Sequence, residues 1–233
     1  MQAIIVAAGE GTRLRPLTES RPKALLDIND RSLITRSIGI LQDVGVTDFA
    51  LVVGYREEMI KEHLAELEIT WFSNPLYQST NNMASLRIAL PFIKETFLYL
   101  HSDLIYDPRL LQQIVVDSNP NVLLVERKSC NAEDMKVKVE GGILVESNKE
   151  IPLAESFGEW TGIAKFSSSF AEVLLMRIGI LMEQGHQQAY DTLAFTELAR
   201  EGHTISIAEF DGLPWVEIDT WEDLEQARQL FSP

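Results

Sequence analysis

The chain has 233 residues, of which 45% are hydrophobic and 24% charged, as expected of one globular domain with a large core. Its net charge of -15 argues against nucleic acid or an anionic membrane as a partner. No apolar stretch approaches the ~20 residues of a membrane span, the N-terminus shows no basic leader, and Cys130, the single cysteine, cannot form an internal disulfide. We therefore expect a cytoplasmic protein, monomer or homodimer, without membrane insertion.

The first predicted element is a buried strand at residues 3–8 that leads into a glycine-containing loop. Its apolar run is short and ends at a glycine, which is typical of a strand buried on both faces. Four basic and two acidic side chains occupy residues 1–23 of a chain that is acidic as a whole, so positive charge is concentrated here. This stretch predicts a triphosphate site. The residues expected to approach the nucleotide are Ala7, Ala8, Gly9, Gly11 and Thr12.

Two common phosphate motifs do not fit this loop. Leu14 stands where a dinucleotide fingerprint has its third glycine, and no Gly-Lys-Ser/Thr follows, as a Walker A motif requires. The string from Gly9 to Lys23 instead resembles the signature G-x-G-T-R-L-x-P-L-T-x-x-x-P-K of the nucleotidyltransferase superfamily that makes nucleotide-activated sugars and alcohols. The resemblance implies a Rossmann-like α/β sandwich that transfers a nucleotidyl group.

Arg13 and Lys23 are the candidate catalytic residues. Nucleotidyl transfer holds a triphosphate in line with an acceptor oxyanion, so the protein mainly positions reactants and neutralises charge. We expect Lys23 to stabilise charge on the α-phosphate and Arg13 to hold the β- and γ-phosphates that leave as pyrophosphate. Arg15 and Arg21 are equally compatible with solvated surface positions.

The first half of the chain alternates strands and helices. This alternation is typical of βαβ units and a mostly parallel sheet. Further strands are predicted at residues 49–53, 69–72, 97–101 and 122–126, and amphipathic helices at residues 33–44 and 56–67.

Asn81, Asn82 and Ser85 stand where the third strand is joined to the next predicted helix. Polar side chains at a helix start commonly act as caps, but they can also read base or ribose edges. The surrounding residues 74–86 resemble the N-x-x-Y-x-x-x-N-N-x-x-S-L stretch of the phosphocholine cytidylyltransferase-like branch, and so does the block that begins at Trp215. The resemblance implies CTP as the donor.

The second half predicts a hairpin around Gly141-Gly142, and antiparallel elements begin there. We expect a small antiparallel, acceptor-side extension of one domain, with residues 1–126 as the nucleotide-binding half and 127–233 as the acceptor-binding and closing half. Its predicted strands lie at 136–140, 143–146, 158–166, 205–210 and 214–218, and its helices at 167–184, 192–202 and 220–231.

Asp103 and Asp219 are the candidate metal ligands. Each follows a predicted strand, and α/β proteins place ligands at the carboxyl edge of the sheet. Carboxylate oxygens with room for phosphate oxygens and water suit Mg²⁺. Taken alone, Asp103 could also be a loop residue and Asp219 a helix-entry charge, but the resemblance implies one metal-binding aspartate after the middle strand and another near the C-terminus. In this chain His101-Ser102 replaces the glycine that commonly precedes the first of these two aspartates in the family.

The acceptor site is less clearly marked. A quaternary ammonium usually needs an aromatic cage, and the segment 131–136 has no aromatic residue. Trp160, Tyr190 and Phe195 could supply one, although aromatic residues at such positions more often belong to the core.

Charged residues beside this segment suggest another acceptor class. Glu133 and Lys136, with Asp134 between them, would suit a zwitterion such as an aminophosphonate or a phosphorylated amino acid, or could form a solvated turn. The resulting hypothesis is a Mg²⁺-dependent cytidylyltransferase that transfers CMP to a small phosphate or phosphonate monoester. The alternatives are a sugar-1-phosphate nucleotidyltransferase that uses UTP, GTP or dTTP, and a non-catalytic nucleotide-sensing subunit of the same fold.

Overall fold

The computed structural model describes residues 1–232. Helices and strands are numbered in chain order. The strands are β1 (Gln2–Ala7), β2 (Asp27–Ile28), β3 (Arg31–Ser32), β4 (Asp48–Val53), β5 (Ile69–Ser73), β6 (Phe97–His101), β7 (Leu104–Tyr106), β8 (Val122–Glu126), β9 (Lys136–Glu140), β10 (Ile143–Asn148), β11 (Gly158–Phe166), β12 (Ser206–Phe210) and β13 (Trp215–Glu217). The α-helices are α1 (Leu17–Ser20), α2 (Leu33–Asp43), α3 (Glu57–His63), α4 (Asn82–Ala89), α5 (Pro108–Val116), α6 (Ser168–Glu183), α7 (Thr192–Arg200) and α8 (Trp221–Leu230).

Nine strands form one central sheet in the order β5-β4-β1-β6-β11-β8-β12-β10-β9. The first four are parallel, β11 runs antiparallel between β6 and β8, and β12 is again parallel to β8. The antiparallel hairpin β9–β10 closes the far end. The predicted α/β class, with a mostly parallel sheet and an antiparallel extension, is confirmed. The division into two halves at residue 126 stays a prediction, and strands from the two sides of that point interleave.

Both faces of the sheet are covered by helices. In β1, Ala3 and Ile5 belong to the core on one face, and Ile4 and Val6 to the core on the other. This is why the strand reads as an unbroken apolar run rather than an alternating one. Helices α2 and α5 lie on the first face, and α4, α6 and α7 on the second. None of the helices in residues 1–232 is long and apolar enough to cross a membrane.

The fold brings two distant parts of the chain to one edge of the sheet. In the parallel pair β1 and β6, Val6 lies opposite His101, so the loop after β1 and Asp103 after β6 leave the sheet together. The short strand β7, which the sequence analysis does not predict, pairs with β13 rather than with the central sheet. The backbone N–H of Ile218 donates to the Asp103 carbonyl at 2.8 Å, and Asp219 therefore arrives beside Asp103.

Candidate active site

Four charged side chains meet at this edge. Lys23 Nζ lies 2.8 Å from Asp103 Oδ2 and 2.5 Å from Asp219 Oδ1. The guanidinium of Arg13 donates to the other oxygen of Asp219, Oδ2, at 2.6 Å. All four were predicted as catalytic or metal-binding residues, and the structure brings them into one cluster.

The environment of Lys23 favours its charged form. Its side chain is only 12% exposed. Burial lowers the pKa of Lys23, but the carboxylates of Asp103, Asp219 and Glu217 outweigh that effect and raise the pKa above its ordinary value. The ammonium is therefore a permanent positive charge at the centre of the cluster. At Glu217, burial and the two neighbouring aspartates raise the pKa to about 7.

A cavity of about 290 Å³ opens over this cluster. Gly11 takes a positive φ of 62° on its wall, and a Cβ there would lie 3.2 Å from Lys23 Cβ, so glycine allows the loop to pack closely on the lysine. The predicted site residues that line the cavity are Ala7, Ala8, Gly9, Gly11, Thr12, Arg13, Lys23, Asn81, Asn82, Asp103, Glu133, Trp160, Tyr190 and Asp219.

Two predicted site residues lie outside the cavity. Ser85 lies on the buried side of α4, where its hydroxyl accepts a hydrogen bond from Asn74 Nδ2 at 3.0 Å, so it is not available to a nucleotide. Lys136 is 1% exposed, and its ammonium donates to the backbone carbonyls of residues 131, 132 and 134. Direct acceptor binding by Lys136 is therefore wrong, because all three of its donors are used inside the protein.

The aromatic residues considered for an acceptor cage also differ in whether they reach the cavity. Phe195 is fully buried in the core and does not reach the cavity. Trp160 is also buried, with its indole N–H bonded to the Ile163 carbonyl at 2.9 Å, but one part of it reaches the cavity wall. Tyr190 is 42% exposed. The cage of three aromatic residues considered for a quaternary ammonium is not assembled.

The structure adds Lys149 to the site. This residue lines the cavity with its ammonium 3.6 Å from a Glu133 oxygen and 5.6 Å from the Tyr190 ring centroid. Its local sequence, directly after the β10 strand, carries no signal for this role, because only the folding of β10 against the rest of the chain places it there. Met135, Ser102 and Gly162 also line the cavity.

His101 lines the cavity and contacts both Asn82 and Trp160. Its Nε2 is 2.9 Å from Asp191 Oδ2, and this buried carboxylate also accepts from the Tyr99 hydroxyl at 2.6 Å. Burial lowers the pKa of His101, but Asp191 outweighs that effect, and the pKa rises to about 9. The His101 side chain, which belongs to the His101-Ser102 pair found in place of the common glycine, is thus held firmly in position.

A histidine and two acidic residues that line the cavity form a group that could hold a divalent cation. One ligand atom each from His101, Asp103 and Glu217 lies within 4.8 Å of the others. Asp103 Oδ1 is buried, and no hydrogen-bond partner is found for it in the described part of the chain. An orphaned carboxylate oxygen beside further carboxylates is the donor set that a hard cation prefers.

A second cavity of about 710 Å³ adjoins the first. It lies between α8, β13 and the segment that follows β8. The residues that line both cavities are Arg13, Glu133, Lys149, Glu217 and Asp219.

Comparisons with known proteins identify the family of the chain. Residues 3–130 match the model of the MobA-like NTP transferase domain. The bifunctional IPC transferase and DIPP synthase of Aquifex aeolicus is 35% identical over 237 residues, which is 98% of this chain but about half, 51%, of that protein's length. The CTP:phosphoglutamine cytidylyltransferase of Campylobacter jejuni is 27% identical over 249 residues, covering 97% of this chain and 98% of that one.

The same fold occurs in a solved structure. The CTP:phosphocholine cytidylyltransferase of Streptococcus pneumoniae superposes with a TM-score of 0.81 over 99% of both chains, at 23% sequence identity. The resemblance to nucleotidyltransferases that the glycine loop carries is thereby confirmed, and the chain belongs to the MobA-like NTP transferase family.

Proposed function

We propose that this chain is a Mg²⁺-dependent cytidylyltransferase that transfers CMP from CTP to a small phosphate or phosphonate monoester and releases pyrophosphate. The observation that carries the proposal is the cluster in which Lys23 lies between Asp103 and Asp219 and packs against the glycine loop. We infer that it acts in the cytoplasm, as a monomer or homodimer.

Different residues of the chain stabilise the reacting α-phosphate and hold the pyrophosphate that leaves. An acceptor oxygen attacks the α-phosphorus of CTP, and the bond from that phosphorus to the oxygen bridging to the β-phosphate breaks. Lys23 neutralises the charge that develops on the α-phosphate, and Arg13 holds the departing pyrophosphate. The amides of residues 9–12 face the phosphates. Asp103, Asp219 and Glu217 would hold Mg²⁺, which supplies further neutralisation of phosphate charge when bound.

The donor base is assigned to cytosine. Asn81 and Asn82 line the cavity beside the glycine loop, and Asn81 also caps α4 by accepting from the Asn82 backbone N–H at 2.8 Å. Its capping role leaves the Asn82 amide as the group better able to contact a base or ribose edge. The CTP named for the Campylobacter jejuni relative, which covers nearly the whole chain, supports the choice.

The acceptor is assigned to phosphorylated or phosphonylated zwitterions. Lys149 Nζ lies 3.6 Å from a Glu133 carboxylate oxygen, and both residues line the cavity that Lys23 also lines. Such a pair can exchange its internal contact for an acceptor that carries one anionic and one cationic group. Tyr190 would lie alongside. The acceptor named for the relative, phosphoglutamine, supports a compound of this type.

Pyrophosphate release tests the proposal. Each of CTP, UTP, GTP and dTTP is paired with phosphocholine, 2-aminoethylphosphonate, inositol 1-phosphate, phosphorylated amino acids and hexose 1-phosphates, with the Lys23→Ala protein as background. We expect turnover with CTP and the highest kcat/KM with a primary-amine zwitterion. Turnover of a hexose 1-phosphate with another nucleotide would establish the sugar-nucleotide alternative. CTP binding without turnover of any acceptor would favour the nucleotide sensor.

A further inference from the structure

The wall that carries Glu133 is fixed from inside by a buried lysine. We call residues 131–135 the acceptor loop. The ammonium of Lys136 donates to the carbonyls of Asn131 at 3.1 Å, Ala132 at 3.0 Å and Asp134 at 3.3 Å. A buried ammonium is stable only when its donors are satisfied, and the acceptor loop satisfies all three.

Hydrogen bonds within the acceptor loop add to this anchoring. Asn131 Oδ1 accepts from the backbone N–H of Glu133 at 2.8 Å and of Asp134 at 3.3 Å. Asp134 Oδ2 accepts from the Asn131 backbone N–H at 2.9 Å, and Lys128 Nζ pairs with Asp134 at 3.3 Å. The protein's own groups therefore hold the loop in one conformation.

The acceptor loop is also the partition between the two cavities. Met135 lines the smaller cavity, Asn131 and Asp134 line the larger, and Glu133 lines both. The Met135 carbonyl accepts from the Trp160 backbone N–H at 2.9 Å, which joins the loop to β11. A shift of the loop would therefore move Glu133 relative to Lys149.

We propose that Lys136 is a positioning residue for acceptor recognition, which acts through the acceptor loop to hold Glu133 at the cavity. This inference rests on the proposed function, because it assumes that the acceptor binds against Glu133. Lys136 touches neither substrate. Among residues 1–232, the loop makes hydrogen bonds and ion pairs to Lys128, Lys136, Lys149 and Trp160 and none to the glycine loop or Lys23, so the effect of Lys136 should fall on the acceptor.

Lys136→Met tests the inference, with Lys138→Met as the matched control. Lys138 lies two residues along the same strand, but its ammonium pairs with the exposed Glu155, at 2.6 Å, and with no other carboxylate of residues 1–232. With 2-aminoethylphosphonate as the acceptor, we expect Lys136→Met to raise the acceptor KM about tenfold to a hundredfold, the scale for misplacing a positioning group. The KM for CTP should stay unchanged, as should both constants in the control. Lys136→Arg, which keeps the donors, should recover part of the loss.

Two further measurements test whether Lys136 acts through the acceptor loop. Hydrogen exchange at the Glu133 and Asp134 amides should accelerate in Lys136→Met, and Asn131→Ala should raise the acceptor KM in the same selective way. Equal rises in the acceptor and CTP KM values, or an unchanged acceptor KM with unchanged exchange, would overturn it. Failure of the proposed function would look different, because the wild-type protein would then release no pyrophosphate from CTP and calorimetry would detect no 2-aminoethylphosphonate binding.

Discussion

Gly162 offers a sharp test of how the site is packed. The residue lies in β11 with a φ of +80°, and an alanine Cβ there would lie 2.9 Å from Nδ1 and 3.1 Å from Cγ of His101. The imidazole cannot move away easily, because Asp191 holds its Nε2 at 2.9 Å and the Trp160 ring packs edge-on with centroids 5.1 Å apart. We therefore expect Gly162→Ala to be destabilising and to disturb the end of β6.

The expected loss has two parts. The left-handed backbone costs an alanine about 1–2 kcal/mol. Forcing a methyl group against a fixed ring in a packed interior costs about 1–3 kcal/mol more. The free energy of unfolding should therefore fall by about 2–5 kcal/mol, a large part of the ~5–15 kcal/mol that holds a domain folded. Gly185→Ala is the control, because Gly185 has a φ of +96° with no atom within 4 Å of where an alanine Cβ would lie, and only the backbone cost of about 1–2 kcal/mol applies.

Chemical denaturation of the two variants separates strain from packing. Gly162→Ala should lose at least about 1 kcal/mol more than Gly185→Ala. It should also lower kcat for pyrophosphate release by about tenfold or more, because His101 is the last residue of β6, two residues before Asp103, and small misplacements are costly. Equal losses of stability in the two variants, with unchanged kcat, would refute the packing argument.

Three other outcomes can be checked with the same assays. Lys23→Ala should remain folded by circular dichroism and lose about a hundredfold or more in turnover, the scale for one preorganised charge at a reacting centre; near-normal turnover would remove Lys23 from the mechanism. Asp103→Asn and Asp219→Asn should each shift the Mg²⁺ activation curve to higher concentration, and an unchanged curve in either would exclude that residue as a ligand. In Asp191→Asn the pKa of His101, followed by NMR in EDTA, should fall from about 9, because burial then acts with less opposition from carboxylates; an unchanged pKa would mean that Asp191 does not set it.

Much of the nucleotide side could be predicted because its chemistry is local in sequence. The run that ends at Gly9 and the basic residues up to Lys23 lie within one short stretch, so their proximity needs no tertiary information. Asp103 could be placed at the ligand edge because it follows a buried strand, and the carboxyl ends of parallel strands share an edge.

The acceptor side depends on pairings that leave no local signal. Lys136 begins one short strand and Lys149 follows the next, yet Lys136 is buried among carbonyls and Lys149 lines the cavity. Ser85 likewise reads as a polar residue at a helix start, but the side of α4 on which it lies faces the core. The pairing of β7 with β13 that brings Asp219 to Asp103 joins residues more than a hundred positions apart, and no spacing rule predicts it.

The position of β11 makes the protein difficult to divide into separate fragments. This strand pairs along one side with β6, Ile163 opposite Leu100, and along the other with β8, Ala164 opposite Leu123. A fragment of residues 1–126 would keep β6 and β8 but would leave the facing backbone N–H and carbonyl groups of both strands exposed on apolar edges. Such edges recruit other chains, so the excised fragment should aggregate rather than serve as a CTP-binding module. Chimeras between relatives would for the same reason need their crossover points chosen to keep β6, β8 and β11 from one parent.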